Sequence, residues 1–252
     1  MLQSFTLPVA AITSKLGSPV SPKTVKSSTP GSNPSLARDI WAVWEKDFRS
    51  EWRSRAALNA VSLFSVAAPV ALGFSLFKQK VGPEVLGGLL WTTLFFAALL
   101  GLPRAFVKEE ETGTAALLRL HFSSDAVLWG KVLGQLALLA VTQLGAIPIF
   151  VLLLGTKVTS PLLLLLCVIL GDVGLAVSSS VLGAMAAQAR SKGALFSAMA
   201  APLMLPLLVS LSFATGFAFG AKVDPWPGVQ VVAAFDLVLL AAAWMTFDFV
   251  WS

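Results

Sequence analysis

Arg104-Ala-Phe-Val-Lys108-Glu109-Glu110-Glu111-Thr112-Gly113-Thr114-Ala-Ala-Leu-Leu-Arg119-Leu-His121-Phe122 interrupts with charge a chain that is otherwise apolar on both sides of it. Between Pro103 and Lys131 lie Arg104, Lys108, Glu109, Glu110, Glu111, Arg119, Asp125 and Lys131, whereas the flanking segments 85–102 and 132–154 carry no charge. Two membrane spans joined by a compact amphipathic surface element fit this pattern, since a helix needs roughly 20 apolar residues to cross the hydrocarbon. Within the element the acids come first and Arg119 follows, with Phe106, Leu117, Leu118 and Leu120 as apolar positions. That order suits the dipole of a short helix, which favours acids at its start and bases at its end. Gly113, between the acidic cluster and the apolar turn, marks a bend. A plainer reading stays open, a solvated linker whose charges keep it out of lipid.

Composition sets the class. The chain is 56% hydrophobic and 12% charged, with a mean hydropathy of +0.82, too apolar for an ordinary soluble domain. An all-α integral membrane protein is expected; strand-period alternation is absent, which argues against a β-barrel. The single cysteine, Cys167, lies in an apolar run and excludes an internal disulfide or a cysteine-built metal site.

Taken in order, residues 1–35 hold twelve Ser or Thr, the bases Lys15, Lys23 and Lys26, and no acid. This is the composition of an organelle transit peptide, a disordered leader, and without arginine it favours a chloroplast (thylakoid or inner envelope) over the mitochondrial inner membrane. A simple disordered tail is the alternative. Residues 36–56 differ completely: Trp41, Trp44, Phe48 and Trp52 recur at helical spacing and share one face. An amphipathic elbow helix lying in the membrane interface is expected, with Trp41, Trp44 and Trp52 as its anchors at headgroup depth; packing against another protein helix is the competing reading. The remainder, 57–252, contains six spans at about 57–77, 85–102, 132–154, 161–187, 194–219 and 229–251, with the 103–131 element between the second and third. Bases are in excess on the N-terminal flank and in the even loops, which places these and both termini on the cytoplasmic, stromal or matrix side.

Polar residues inside the spans are few. Asp172, within Leu-Gly-Asp-Val-Gly of the fourth span, is followed by Ser178, Ser179 and Ser180. An ionisable group at this depth is costly and makes Asp172, with Ser179, a candidate for a transport path; a hydrogen bond to a neighbouring helix is the bland alternative. Asp236 in the sixth span reads as closer to an interface. Pro148, Pro202 and Pro206 fall inside spans, where neighbours can satisfy the freed carbonyls.

Several chemistries find no support. The sequence has no Gly-x-x-x-x-Gly-Lys-Ser/Thr loop for ATP phosphates, no Cys-x-x-Cys-His for covalent haem, and His121 as its one histidine. No catalytic residue, resident metal or nucleic-acid role is expected; the net charge of +5 is mostly the inner-side bias and the leader.

At this point the residues carry a resemblance. Leu36-Ala-Arg-Asp-Ile with Arg53 and Arg55, Trp91 and the run down to Pro103-Arg104-Ala-Phe, Glu109 with Glu111-Thr-Gly113, Gly130-Lys131, and Ala201-Pro-Leu-Met-Leu-Pro206 together resemble the cytochrome c maturation protein B (CcmB) family over about residues 36–252. The resemblance implies a permease subunit of a haem-exporter-type ABC transporter with six spans and no enzymatic activity of its own. It implies ATP hydrolysis on a separate CcmA-like ATPase, a permease homodimer with two ATPases, CcmC-like haem-handling partners, and haem as cargo rather than as a bound cofactor. The family's loop after the second span contacts the ATPase, and Arg104, Glu109, Glu111 and Gly113 match it. Other readings stay open: a permease for another hydrophobic cargo, or a non-transporting scaffold that an ATPase remodels.

Overall fold

The computed structural model describes residues 36–77, 79–102, 104–187 and 192–251, so the transit-like leader at 1–35 lies outside the described residues. The described chain forms α1 (Leu36–Ser54), α2 (Ala56–Ser75), α3 (Pro83–Gly101), α4 (Arg104–Thr112), α5 (Thr114–His121), α6 (Ser124–Leu153), α7 (Pro161–Ala187), α8 (Lys192–Ala218) and α9 (Trp226–Trp251), with no strand among these residues. Six of the helices, α2, α3 and α6 to α9, are long and apolar enough to cross a bilayer. The chain is an all-helical, multi-pass membrane protein.

Local chemistry sets the boundaries. Arg55 takes a left-handed backbone, φ 52°, and separates α1 from α2. For a residue with a side chain this costs roughly 1–2 kcal/mol, and a polar contact across the corner offsets it. The Glu51 carboxylate accepts a hydrogen bond from Leu58 N–H at 3.0 Å, capping the exposed start of α2. Pro83 opens α3, where a missing N–H costs nothing. Ser123 caps α6 by accepting from Ala126 N–H at 3.3 Å. The third span therefore starts eight positions before residue 132. Lys131, which reads from sequence as a residue outside the membrane, lies buried in α6 with carboxylate partners.

In lipid, helices associate by close packing rather than by a hydrophobic drive. The α3–α8 seam is the tightest example: a Cβ on Gly87 would lie 2.4 Å from the Ser212 carbonyl oxygen, so the two backbones touch. Beside it, fully buried Trp91 donates its indole N–H to Thr215 Oγ1 at 2.7 Å and fills the space over Gly171 of α7. Helix α7 packs against α4, α6, α8 and α9, and its second half is almost wholly buried.

The contacts also sort the loops into two ends. At one end Thr159 and Ser160 N–H groups both donate to Ala218 O, Gly216 meets Glu84, and Gly73 meets Leu153, which brings together the first, third and fifth connections. At the other end α1, α4, α5 and the end of α9 gather through the contacts given below. This grouping is what an even number of spans requires. With Cys167 fully buried, cysteines introduced at Ser50 and Glu111 should react with an impermeant maleimide from one side of the membrane only, and a cysteine at Lys222 only from the other; labelling of Glu111→Cys and Lys222→Cys from the same side would overturn the arrangement.

Candidate functional site

The charged stretch 104–122 is two short helices, not one. Gly113 sits between them at φ 71°, ψ 7°, a left-handed turn that glycine adopts without a Cβ penalty. Thr112 Oγ1 donates to Lys108 O at 2.8 Å, closing the end of α4. Phe106 and Glu109, three residues apart on one helix face, point inward and are buried, whereas Lys108 and Glu111 are exposed. The side chain of Arg104 lies outside the described residues.

Glu109 is held by lysines from two other helices. The Lys131 ammonium of α6 lies 2.8 Å from Glu109 Oε1 and 2.9 Å from Asp47 Oδ2 of α1, with the Lys131 side chain only 1% exposed. Lys46 joins the group, pairing with Glu109 Oε1 and lying 3.1 Å from Asp47 Oδ1. The Phe106 ring flanks the Lys131 ammonium at 5.2 Å. Burial lowers the Lys46 pKa, but the adjacent Asp47 and Glu109 carboxylates outweigh it and hold the ammonium above its ordinary value. The part of the linkage that Lys46 supplies is therefore complete at neutral pH and is lost only as pH rises through that raised value. Two further contacts press α1 onto this end: a Cβ on Gly130 would meet Val43 at 2.7 Å, and Lys108 Nζ donates to Ser50 Oγ at 2.8 Å.

The inward face of α4 also reaches helices distant in sequence. Phe106 packs on Gly183 of α7 and edge-on against Phe247 and Trp251 of α9, with ring centroids 6.3 and 6.0 Å away. The Arg119 guanidinium of α5 stands over the Trp251 ring at 5.0 Å, and Ser124 Oγ donates to Asp248 Oδ1 at 2.5 Å. From sequence, the loop is joined only to the second and third spans. In the fold it is keyed to the fourth and sixth as well, through Phe106.

The other residues singled out in the sequence lie elsewhere. Trp41, Trp44, Phe48 and Trp52 form a continuous ring ladder, with successive centroids 4.4, 5.5 and 5.9 Å apart, on the face of α1 opposite Val43. Trp41 and Trp52 are 58% and 59% exposed and Trp44 is half-buried. Asp172 and Ser179 face α6, not the Glu109 cluster: Gln143 Nε2 donates to Asp172 Oδ1 at 2.6 Å, and Ser179 and Ser180 donate to Gln135 Oε1 at 2.5 and 3.1 Å. Asp236 lies inside α9 rather than near an interface, buried against Gly174. Sequence reasoning missed Lys46, Asp47, Gln135 and Gln143. The two glutamines, as polar residues within an uncharged span, were the available signal.

Between α1, α4 and α6 the fold leaves a cleft of about 720 Å³, charged where it meets Lys46, Asp47, Glu109 and Lys131 and apolar where it meets Leu102, Leu138 and Val141.

Removing the central lysine should expose the energetics of the cluster. Lys131→Ala removes the buried cation and leaves the Asp47 and Glu109 carboxylates with only the more exposed Lys46 between them, and we expect a loss of about 3 kcal/mol, read as a lower unfolding midpoint in detergent. The double substitution Lys131→Met with Glu109→Gln should recover most of it, because neutralising both partners together removes the uncompensated buried charge; a double variant no more stable than Lys131→Ala would refute the pairing.

No curated protein matches the chain. The family model described as CcmB protein matches residues 38–249, a span that runs from α1 almost to the end of α9 and takes in the α4–α5 hairpin, the cluster that holds it and all six membrane helices. The chain belongs to the CcmB family.

Proposed function

We propose that this protein is the membrane permease subunit of a haem-exporter-type ABC transporter, coupling ATP hydrolysis on a separate CcmA-like subunit to haem export or haem-chaperone release in cytochrome c-type maturation. Membership of the CcmB family, a family of permease subunits, supports the transporter class and the assignment of hydrolysis to a partner chain. The single observation that carries the coupling is the α4–α5 hairpin, an exposed acidic element locked on its inner face to α1, α6, α7 and α9. A push on such an element reaches most of the bundle.

In this reading the roles within the hairpin divide. Glu109 faces inward and positions the lever; Glu111, exposed on the same helix, meets the ATPase, as does Arg104 where the family pattern places it. Gly113 supplies the turn that lets α4 and α5 move as a unit. Trp41, Trp44 and Trp52 hold α1 in the interface, the exposed rings of Trp41 and Trp52 at headgroup depth with half-buried Trp44 between them. A permease homodimer, CcmC-like haem-handling partners and an organelle membrane, chloroplast before mitochondrion, complete the proposal, the last from the composition of residues 1–35.

A second reading has its own observation. Asp172 and Ser179, the path candidates, are buried in direct hydrogen bonds between α6 and α7. That arrangement favours an assembly scaffold that an ATPase remodels without cargo crossing. Asp172→Asn separates the two: a path residue should leave assembly intact and lower haem release, whereas a structural one should lower the unfolding midpoint.

The coupling itself has a direct test. Glu110→Lys with Glu111→Lys should leave insertion and unfolding midpoint unchanged while co-purification of the ATPase falls several-fold, as expected for loss of a desolvated charge contact. Gly113→Val should uncouple hydrolysis from haem release, since a β-branched residue resists the left-handed turn, and Gly113→Asn should retain more activity because asparagine tolerates it. ATPase binding unchanged by the double reversal would remove the hairpin from the interface.

A further inference from the structure

We propose that the cleft between α1, α4 and α6 binds a single membrane lipid from the leaflet in which α1 lies, one with a net-neutral headgroup that donates hydrogen bonds. Its volume of about 720 Å³ falls in the range of small-molecule sites, roughly 300–1,000 Å³. Its shape is that of one leaflet. The α6 wall descends from Lys131 through Gln135 and Leu138 to Val141, a drop of about 15 Å at the helical rise per residue, and half of a hydrocarbon core is also about 15 Å. The polar end sits beside the elbow helix and the apolar end reaches Val141, which is exposed on the bundle surface.

Two buried side-chain atoms at the polar end, on residues that line the cleft, lack hydrogen-bond partners. Glu109 Oε1 takes both lysines, which leaves Oε2 without a hydrogen bond. Ser179 and Ser180 both donate to Gln135 Oε1, while its Nε2 is unpartnered. Both residues line the cleft and both are more than nine-tenths buried. A headgroup that donates to Glu109 Oε2 and accepts from Gln135 Nε2 satisfies them together. Unsatisfied polar atoms at this depth are otherwise costly.

Charge narrows the headgroup further. Among the described lining residues, the ammonium groups of Lys46, Lys108 and Lys131 are outnumbered by the carboxylates of Asp47, Glu51, Glu109 and Glu111. The surplus is negative, so an anionic headgroup meets repulsion, as do the two carboxylates of a haem-type tetrapyrrole. A primary ammonium or a sugar hydroxyl, each on a headgroup that also offers acceptors, fits both the charge and the hydrogen bonds.

The test uses the full chain in nanodiscs of equimolar phosphatidylethanolamine, monoglucosyl diacylglycerol, phosphatidylcholine and phosphatidylglycerol, followed by mild extraction and native mass spectrometry. One retained lipid per chain is expected, drawn from the first two species with a preference of at least about threefold over the last two; which of the first two dominates identifies the donor as ammonium or hydroxyl. Gly134→Leu should abolish that retention, because a Cβ there has open space, the nearest atom being Asp47 Cβ at 3.9 Å, and the longer side chain would fill the cleft. Val141→Trp, at the exposed apolar end, is the second variant should the first fail to fold, and should reduce retention with an unchanged unfolding midpoint. No retained lipid in the wild type, equal retention of all four lipids, preference for phosphatidylglycerol, one-for-one displacement by added haem, or wild-type retention in the folded variants would each overturn the assignment.

Discussion

The ammonium of Lys131, sealed between Asp47 of the elbow helix and Glu109 of α4, is the constraint on which the arrangement of the inner end depends. Its stabilising contribution is not its main effect. Burying charges costs several kcal/mol per ion before their attraction returns anything, and an apolar substitute of similar shape often serves stability equally well. What the ionic group adds is geometric choice. Three helices far apart in sequence must present their charges at one point, and a slip of α1 by one turn in the direction that puts Val43 in place of Asp47 would leave Lys131 opposite an apolar side chain. Gly130, immediately before it, lets Val43 and the Ile40 carbonyl come close enough for that meeting to occur.

Much of the fold was legible in the sequence because lipid leaves few options: apolar runs of sufficient length become helices, and the runs are separated by charge or by Gly and Pro. The six spans, the elbow between α1 and α2 and the break at Gly113 follow from such local signals. The start of α6 did not. Lys131 carries a charge, and charge reads as the outside of a span, whereas here its partners come from Asp47 and Glu109, 84 and 22 positions earlier in the chain. No window of local sequence contains that information.

The candidate site divides along the same line. The acidic stretch and its turn were visible as composition, and so was the aromatic face of α1, since Trp41, Trp44 and Trp52 lie on one helical stripe. The inward orientation of Glu109, as against the outward one of Glu111, depends on where α1 and α6 supply lysines and could not be read from three adjacent glutamates. Asp172 was visible as an ionisable residue in a span, but its partner Gln143 is neutral and carried no comparable signal.

Phe106 and Glu109 together tie a short hairpin to a large bundle. They lie on one face of α4 and point at different parts of the protein: the ring wedges between Gly183 and the Phe247–Trp251 pair, and the carboxylate reaches Lys46 and Lys131. A close-packed interior resists continuous deformation, so a displaced wedge moves its neighbours with it. A rotation of α4 about its own axis would press Phe106 on α7 and α9 while drawing on α1 and α6 through the ion pairs. The apolar contact transmits compression and the ionic contact transmits tension. A hairpin held by either one alone would slip in the direction that contact does not resist, whereas the two together hold it against displacement in both directions.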